Sequence, residues 1–528
     1  MSTILETGYG RLRGERVPSP AQDAESGGVQ VFRGIPFARA PIGKLRFAPP
    51  ALPEPWSGVR DATRFAPAAL QNPDQIGSLL GFDGIGEISE DCLSLNVWTP
   101  GLDGGRRPVM VWIHGGAFVI GSSSQTMYDG ATLARRGDVV VVSVNYRLGA
   151  FGFLHLGDLA GAAGRASAEL PSNLGILDQI AALEWVRAEI AHFGGDPENV
   201  TVFGESAGAI SVATLLGTPR ARGLFRRAIL QSGSANVVTS RESAGEVARA
   251  LLGELGLPAD ESAVARLRGL PAADVVAAQQ RVVLAGWSQM NGTPFQPVVD
   301  GEVLPVSTFA SLAEGQARDV EILAGTTLDE WKLFVLIDPA FAKLDEAGLV
   351  RRCERSLPGA GRDGTSQGRR AIEVYRRARA QRGADTSPRE IWCALESDRV
   401  FRAPAMRLVE LASAHQPKTF AYLFDWQSPV LEGVLGACHV LDVPFVFGTL
   451  DDPRLATFTG TGEAVTRLAT QIQDAWTAFA RDGDPSHAGL GQWPAYEPGR
   501  RATMVLGRDC HLADAPLEDE RRFWAESD

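Results

Sequence analysis

Short runs of aliphatic and β-branched residues, separated by longer helical patterns, constrain this 528-residue chain more than any other feature. They are Val109-Met-Val-Trp-Ile113, Val139-Val-Val-Val-Ser-Val144, Val200-Thr-Val-Phe203, Ala228-Ile-Leu-Gln231, Glu321-Ile-Leu-Ala324 and Thr419-Phe-Ala-Tyr-Leu-Phe424. A strand with one wet face alternates apolar and polar residues, whereas these runs are almost continuously apolar, as in strands covered on both faces. Between two of them, Leu177 to Ile190 places Ile180, Leu183, Trp185, Val186 and Ile190 at helical spacing. The pattern predicts an α/β protein with a largely parallel central sheet flanked by helices.

Length alone, at about 150 residues per domain, suggests three or four domains. The spacing of the strands argues for one elaborated unit over residues 1–528 instead. No internal repeat is present, and the two long gaps between strands read as helical insertions over the sheet, at about 233–320 and 332–417. With 45% hydrophobic and 22% charged residues the chain suits a large buried core, which excludes collagen-like, disordered and disulfide-scaffold classes. Its net charge of −12 opposes the basic footprint of a nucleic-acid or anionic-membrane binder. The arginine-rich stretch from Arg351 to Arg389 fits the solvated face of an amphipathic helix around Ala371–Ala380.

No segment has the 18 or so consecutive apolar residues of a membrane helix, and the N-terminus carries Glu6 where an apolar signal core would lie. Five cysteines (Cys92, Cys353, Cys393, Cys438 and Cys510) are odd in number and far apart, without metal-type spacing. The expectation is a reduced, cytoplasmic protein with no metal and no cofactor.

Gly204-Glu-Ser-Ala-Gly208 lies between the strand Val200–Phe203 and a helical run, Ala209 to Leu216. A Gly-x-Ser-x-Gly match is weak alone but specific in a strand–turn–helix context. So tight a turn strains the serine, needs glycines where Cβ atoms would collide, and projects Ser206 Oγ above the sheet at a helix N-terminus. A nucleophilic hydroxyl also needs donors for the developing oxyanion. His114-Gly-Gly-Ala-Phe118 directly follows a strand, and its small residues leave backbone N–H groups unobstructed.

With these segments in view, the chain resembles the type-B carboxylesterases, the family that includes cholinesterases and bacterial para-nitrobenzyl esterases. The likeness is carried by Phe32-Arg-Gly-Ile-Pro-Phe-Ala38, Leu45-Arg-Phe47, Ser89 to Val97, His114 to Phe118 and Asn145-Tyr-Arg-Leu-Gly149. It continues through Gly194-Gly-Asp-Pro197, Gly204 to Gly208, Leu230-Gln-Ser-Gly233 and Asp474-Ala-Trp-Thr-Ala-Phe479, in the family's order. The resemblance implies the α/β-hydrolase fold, with the two insertions forming a cap or gorge over the site. It implies oxyanion donors at Gly116, Ala117 and Ala207. Ser232 matches a serine that supports the triad acid, and Glu205 adjoins the nucleophile.

In that fold the order along the chain is nucleophile, acid, histidine, which leaves His415, His439, His487 and His511 as candidate bases. His415 ends a helical run, His487 sits in a turn, and His511 lies beyond the expected last strands. His439 follows the strand Thr419–Phe424 after an irregular loop, and Asp442-Val-Pro-Phe-Val-Phe-Gly448 behind it matches the family's histidine segment. For the acid, Asp329 and Glu330 compete after the strand Glu321–Ala324, and the resemblance selects Glu330. Many relatives have glycine next, where this chain has Trp331, a change that bears on the pocket wall or loop and removes no catalytic group. Cys438 beside His439 lacks an elbow and reads as a buried thiol.

The expected reaction is ester hydrolysis through an acyl-enzyme on Ser206, with His439 as base and Glu330 holding its tautomer. The stretch Leu70 to Glu87 contains no tryptophan for a cation–π platform, which argues against cholinesterase activity. Leu79, Leu80, Phe82 and Ile85 offer an apolar rim instead, suiting small aryl or alkyl esters with short to medium acyl groups. By resemblance, Cys92 occupies a disulfide position whose partner is missing, in keeping with an intracellular enzyme that is a monomer or weak homo-oligomer. Carbamate or amide cleavage would use the same residues. A catalytically dead adhesion-type homologue would usually lack the serine.

Overall fold

The computed structural model describes residues 2–18, 28–80, 84–160, 171–286, 293–359 and 365–526. Twelve strands form the path of a 13-stranded sheet. In chain order they are β1 Ser2–Thr7, β2 Gly10–Val17, β3 Val29–Pro36, β4 Ser94–Thr99, β5 Arg107–Ile113 and β6 Val140–Val144. There follow β7 Gly195–Glu205, β8 Arg227–Gln231, β9 Glu321–Thr327, β10 Thr419–Phe424, β11 Ala502–Leu506 and β12 His511–Asp514. Their spatial order is β1-β2-β3-β4-β6-β5-β7-β8-β9-β10-β11-β12, and Val59–Asp61 pairs with β2 off this path. From β6 to β11 every pairing is parallel; the flanking pairings β1 to β6 and β11 to β12 are antiparallel.

The continuous apolar runs are the parallel strands, and they feed two cores at once. On β5, Val109, Val111 and Ile113 enter one core while Met110 and Trp112 enter the other. On β6, Val140, Val142 and Val144 face the first and Val141 the second. Successive strand side chains point to opposite faces, so a strand buried on both must be apolar throughout. The helix Leu174–Glu189 packs in the first core and Glu463–Asp482 in the second.

Residues 233–320 carry the helices Arg241–Glu254, Ala263–Gly269, Ala272–Gly286 and Thr308–Ala313. Residues 332–417 carry Glu346–Ser356, Gln367–Gln381, Pro388–Ser397 and Ala403–Ser413. A smaller core joins the second group to the C-terminal helix Glu518–Ala525 through Tyr375, Ile391, Leu395 and Phe523. Among the described residues no helix is long and apolar enough to cross a membrane. One expectation is corrected: His511 does not lie beyond the last strands but opens the edge strand β12, opposite Val505. That strand has exposed ends and a half-buried middle, so it lacks the apolar run that marks the interior strands.

Candidate active site

Strand β7 ends at Glu205 and the helix Ala207–Leu216 begins two residues later, so the whole reversal falls on Ser206. Its φ of 55° and ψ of −125° are outside the ordinary wells, a conformation costing about 1–3 kcal/mol that only a firm surround sustains. Ser206 N–H donates to Gln231 O at 2.9 Å, and Ser206 O accepts from Ile210 N–H at 2.9 Å. A Cβ on Gly208 would meet Ile113 O at 2.0 Å, so only glycine lets helix and strand close this tightly. Ser206 is thus held at the positive end of a helix, with Ala207 as its first residue.

The loop after β5 faces it. Gly116, Ala117 and Phe118 all have positive φ, at 109°, 53° and 62°. The turn is clamped by Val119 and Ile120 N–H, both donating to Gly116 O at 3.0 Å, and by Gly149 N–H donating to Phe118 O at 2.7 Å. Neither Gly116 N–H nor Ala117 N–H has a hydrogen-bond partner among the described residues. Behind the loop, His114 Nδ1–H donates to Gly115 O at 2.8 Å, and Tyr146 OH donates to His114 O at 2.8 Å. Burial holds His114 at a pKa of about 4, so it is a neutral support for the loop.

His439 is 3% exposed between two carboxylates. Its Nδ1–H donates to Glu330 Oε2 at 2.6 Å, and its Nε2 lies 3.0 Å from Glu205 Oε1. The other Glu330 oxygen accepts from Thr327 N–H at 2.7 Å. Asp329 turns away: its Oδ2 accepts from Ala437 N–H at 3.0 Å and its Oδ1 lies 3.4 Å from Lys332 Nζ. Burial on its own would depress the imidazole, but Glu205 and Glu330 outweigh it and raise the His439 pKa. Burial, reinforced by Asp442 and Glu330, raises Glu205. Burial likewise lifts Asp442 to about 6, though Gln231 Nε2–H and Tyr422 OH both donate to its Oδ2, at 2.9 Å and 3.2 Å.

Three features have no counterpart in the sequence pattern. The His439 ring packs against Phe401 at 4.7 Å and Phe334 at 5.2 Å, and Trp331 packs on Phe334 at 5.0 Å. His439 Nε2 makes no hydrogen bond among the described residues, with the Glu205 carboxylate 3.0 Å away. Ser232 Oγ is buried without a partner among the described residues, so Thr327 N–H, not Ser232, is the donor that braces Glu330. The remaining candidate histidines lie elsewhere: His415 Nε2 meets Ala313 O, His487 Nε2 meets Gln471 O and His511 Nδ1 meets Asp509 O. Cys438 is buried and its thiol pushed well up by burial, so it is protonated.

Ser206, Glu205, His439, Gly116 and Ala117 line one cavity of about 160 Å³. Its apolar wall includes Ile76, Leu80, Ile120, Met127 and Phe458. Leu333 and Phe334 come from the second insertion, and none of the described lining residues comes from 233–320. Phe82 and the Leu79 side chain lie outside the described residues.

A family model described as the carboxylesterase family matches residues 1–524. The chain is 37% identical over 524 residues to a para-nitrobenzyl esterase of Bacillus subtilis (strain 168), covering 98% of each. It is 35% identical over 488 residues to a phenmedipham hydrolase of Pseudarthrobacter oxydans, covering 91% of this chain and 92% of that one. Among solved structures, the Geobacillus stearothermophilus carboxylesterase EST55 at pH 6.2 superposes with a TM-score of 0.83 at 42% identity, over 99% of this chain and 100% of the other. A thermophilic PNB esterase gives the same TM-score at 36% identity over 99% of each chain.

Proposed function

The chain belongs to the carboxylesterase family and is a serine carboxylesterase acting on carboxylic esters, and from that premise we propose that Ser206, His439 and Glu330 are its catalytic triad. The observation that carries this reading is the buried 2.6 Å contact of Glu330 with His439, in the cavity where the strained Ser206 elbow faces two unpartnered backbone N–H groups. Ser206 Oγ attacks the ester carbonyl and passes its proton to His439 Nε2, through a hydrogen bond that forms as substrate fills the site. Glu330 keeps the other imidazole proton on Nδ1 and stabilises the imidazolium. Gly116, Ala117 and Ala207 N–H groups bind the oxyanion, each worth roughly 2.7–4 kcal/mol of barrier. Alcohol leaves, and water activated by the same imidazole releases the acid.

The small apolar cavity favours short to medium acyl chains with aryl or alkyl leaving groups. The catalytic unit is single, with residues 332–417 lending Leu333 and Phe334 to the gorge wall. All five cysteines are free thiols, which supports a reducing, cytoplasmic setting, and we infer a monomer or weak homo-oligomer. A fluorophosphonate probe should label the wild-type chain and not Ser206→Ala, and p-nitrophenyl acetate and butyrate should be hydrolysed. Persistent labelling of the variant, or no hydrolysis of either ester, defeats the proposal.

A further inference from the structure

The loop that presents Glu330 is gripped from behind by a residue outside the triad. Arg402 Nη1–H donates to the carbonyl oxygens of Thr327 and Leu328, at 3.3 Å and 3.2 Å. Those carbonyls belong to the backbone that turns out of β9 into Asp329 and Glu330. Arg402 Nη2–H donates to Asp398 Oδ1, whose other oxygen accepts from Tyr375 OH, and Tyr375 OH accepts from Trp524 Nε1–H at 2.7 Å. A chain of bonds therefore runs from the C-terminal helix to the acid loop, with Asp398 and Tyr375 buried along it.

The local sequence explains the placement. Asp398–Arg402 is a π turn between the helices Pro388–Ser397 and Ala403–Ser413. Pro404 has no N–H to continue the ladder, and the widened turn accommodates the break. The carbonyl of Val400 is satisfied by Asn236 Nδ2–H at 3.1 Å. The same turn carries Phe401, so one widened turn touches both the imidazole and the backbone that aims its carboxylate.

We propose that Arg402 is a positioning residue for the triad acid: it fixes the Thr327–Leu328 backbone and holds a positive charge behind the Glu330–His439 pair. This rests on Glu330 being the acid. The Arg402 and Asp398 side chains are only 12% and 5% exposed, so solvent screening there is weak, and a cavity of about 40 Å³ lies beside the guanidinium. The charged and titratable groups around Arg402 are Asp398 and Tyr375, Glu330 across the loop, Glu520 near Asp398, and Arg501 and Arg521 on the cavity wall. Glu205, Glu330 and Asp442 face the imidazole. A positive charge in this place steadies the Glu330 carboxylate and opposes the imidazolium, so removing it raises the His439 pKa.

The test compares Arg402→Met, Arg402→Lys and Trp524→Phe, with Glu330→Gln as reference. Arg402→Met should lower kcat by about tenfold to a hundredfold with KM within about twofold, because misalignment acts on the reaction and not on binding. Its acid limb of kcat/KM should move to higher pH by roughly half a unit to one unit. Arg402→Lys, which keeps the charge without the fork, should restore the limb but only part of kcat. Trp524→Phe, at the far end, should stay within about threefold of the parent, since it leaves the guanidinium and both carbonyl contacts intact. A folded Arg402→Met with parental kcat and limb overturns the proposal, as does an equal limb shift in Met and Lys variants. Should Arg402→Met not fold, Arg402→Gln carries the same test, and an unmoved limb there overturns the charge role. If Glu330→Gln itself retains full activity, the triad assignment fails first, and the Arg402 result is read apart from it.

Discussion

Glu330 Oε2 lies 2.6 Å from His439 Nδ1, while Asp329, its immediate neighbour, binds the backbone of the same histidine loop at Ala437. The two adjacent carboxylates thus divide the work of orienting one imidazole: one fixes the ring, the other fixes the chain that carries it. Glu330→Gln keeps the shape but offers the ring an amide, and kcat should fall by about 10³–10⁴. Asp329→Asn should cost less than about tenfold in kcat and show mainly as a lower Tm, through the lost Lys332 pair and a weaker loop anchor. Steady-state kinetics and a melting curve on both variants separate the roles. Equal losses of kcat would show that the division does not exist.

The pH profile tests the second carboxylate on the ring. His439 must be neutral to act as base, yet Glu205 and Glu330 raise its pKa against the effect of burial. Activity should therefore climb with pH through a value above the ordinary imidazole range. Glu205→Gln removes one of the charges, so the acid limb of kcat/KM should move to lower pH by about one unit. The same coupling bears on stability. A raised imidazole pKa contributes stability that is complete below the unfolded value near 6.5 and is lost as pH rises through the folded value. Glu205→Gln should flatten that loss. A limb that stays in place shows that Glu205 does not act on the imidazole charge.

How much of this fold is legible in the sequence depends on where the information sits along the chain. The interior strands are legible because Val109–Ile113 and its counterparts meet apolar neighbours on both faces. The N-terminal ribbon is not, because β2 carries Arg11, Arg13, Glu15 and Arg16 and fully buries little besides Leu12, as befits a strand near a sheet edge. Ser206 and His439 stand out through contiguous motifs. Phe401 and Arg402 do not, because each acts across the fold on a partner distant in sequence or through a ring contact that no local pattern encodes. Ser232 shows the reverse error, since its motif suggests a bond that its side chain does not make.

The elbow predicts a steric cost that is independent of chemistry. A methyl on Gly208 would sit 2.0 Å from Ile113 O and 3.0 Å from His114 C, both backbone atoms that cannot swing aside. Gly208→Ala should destabilise the protein by about 3 kcal/mol or more, beyond the usual overpacking range. It should also abolish fluorophosphonate labelling even where soluble protein is recovered, because relief of the clash moves Ser206. Full labelling of a stable Gly208→Ala protein would show that the elbow has room the present geometry denies.

The cavity's charge predicts which esters it refuses. Asp74 lines it with no lysine or arginine among the described lining residues, whereas Glu205 is paired with the His439 imidazole. Asp74 Oδ1 accepts from Gly77 N–H at 2.8 Å, which fixes that carboxylate in the wall. An ester bearing its own carboxylate must enter against this field, at a cost of roughly 1–2 kcal/mol for charges several ångströms apart in a partly screened site. The p-nitrophenyl ester of butyrate should therefore exceed the hemisuccinate of the same phenol by about tenfold or more in kcat/KM. Because the acyl chains are similar in length, the difference reports charge and not fit. Asp74→Asn should narrow the gap by raising the hemisuccinate value alone, and added salt should narrow it in the parent enzyme. Equal rates for the two esters at low ionic strength would show that the Asp74 carboxylate does not act on the charge of the substrate.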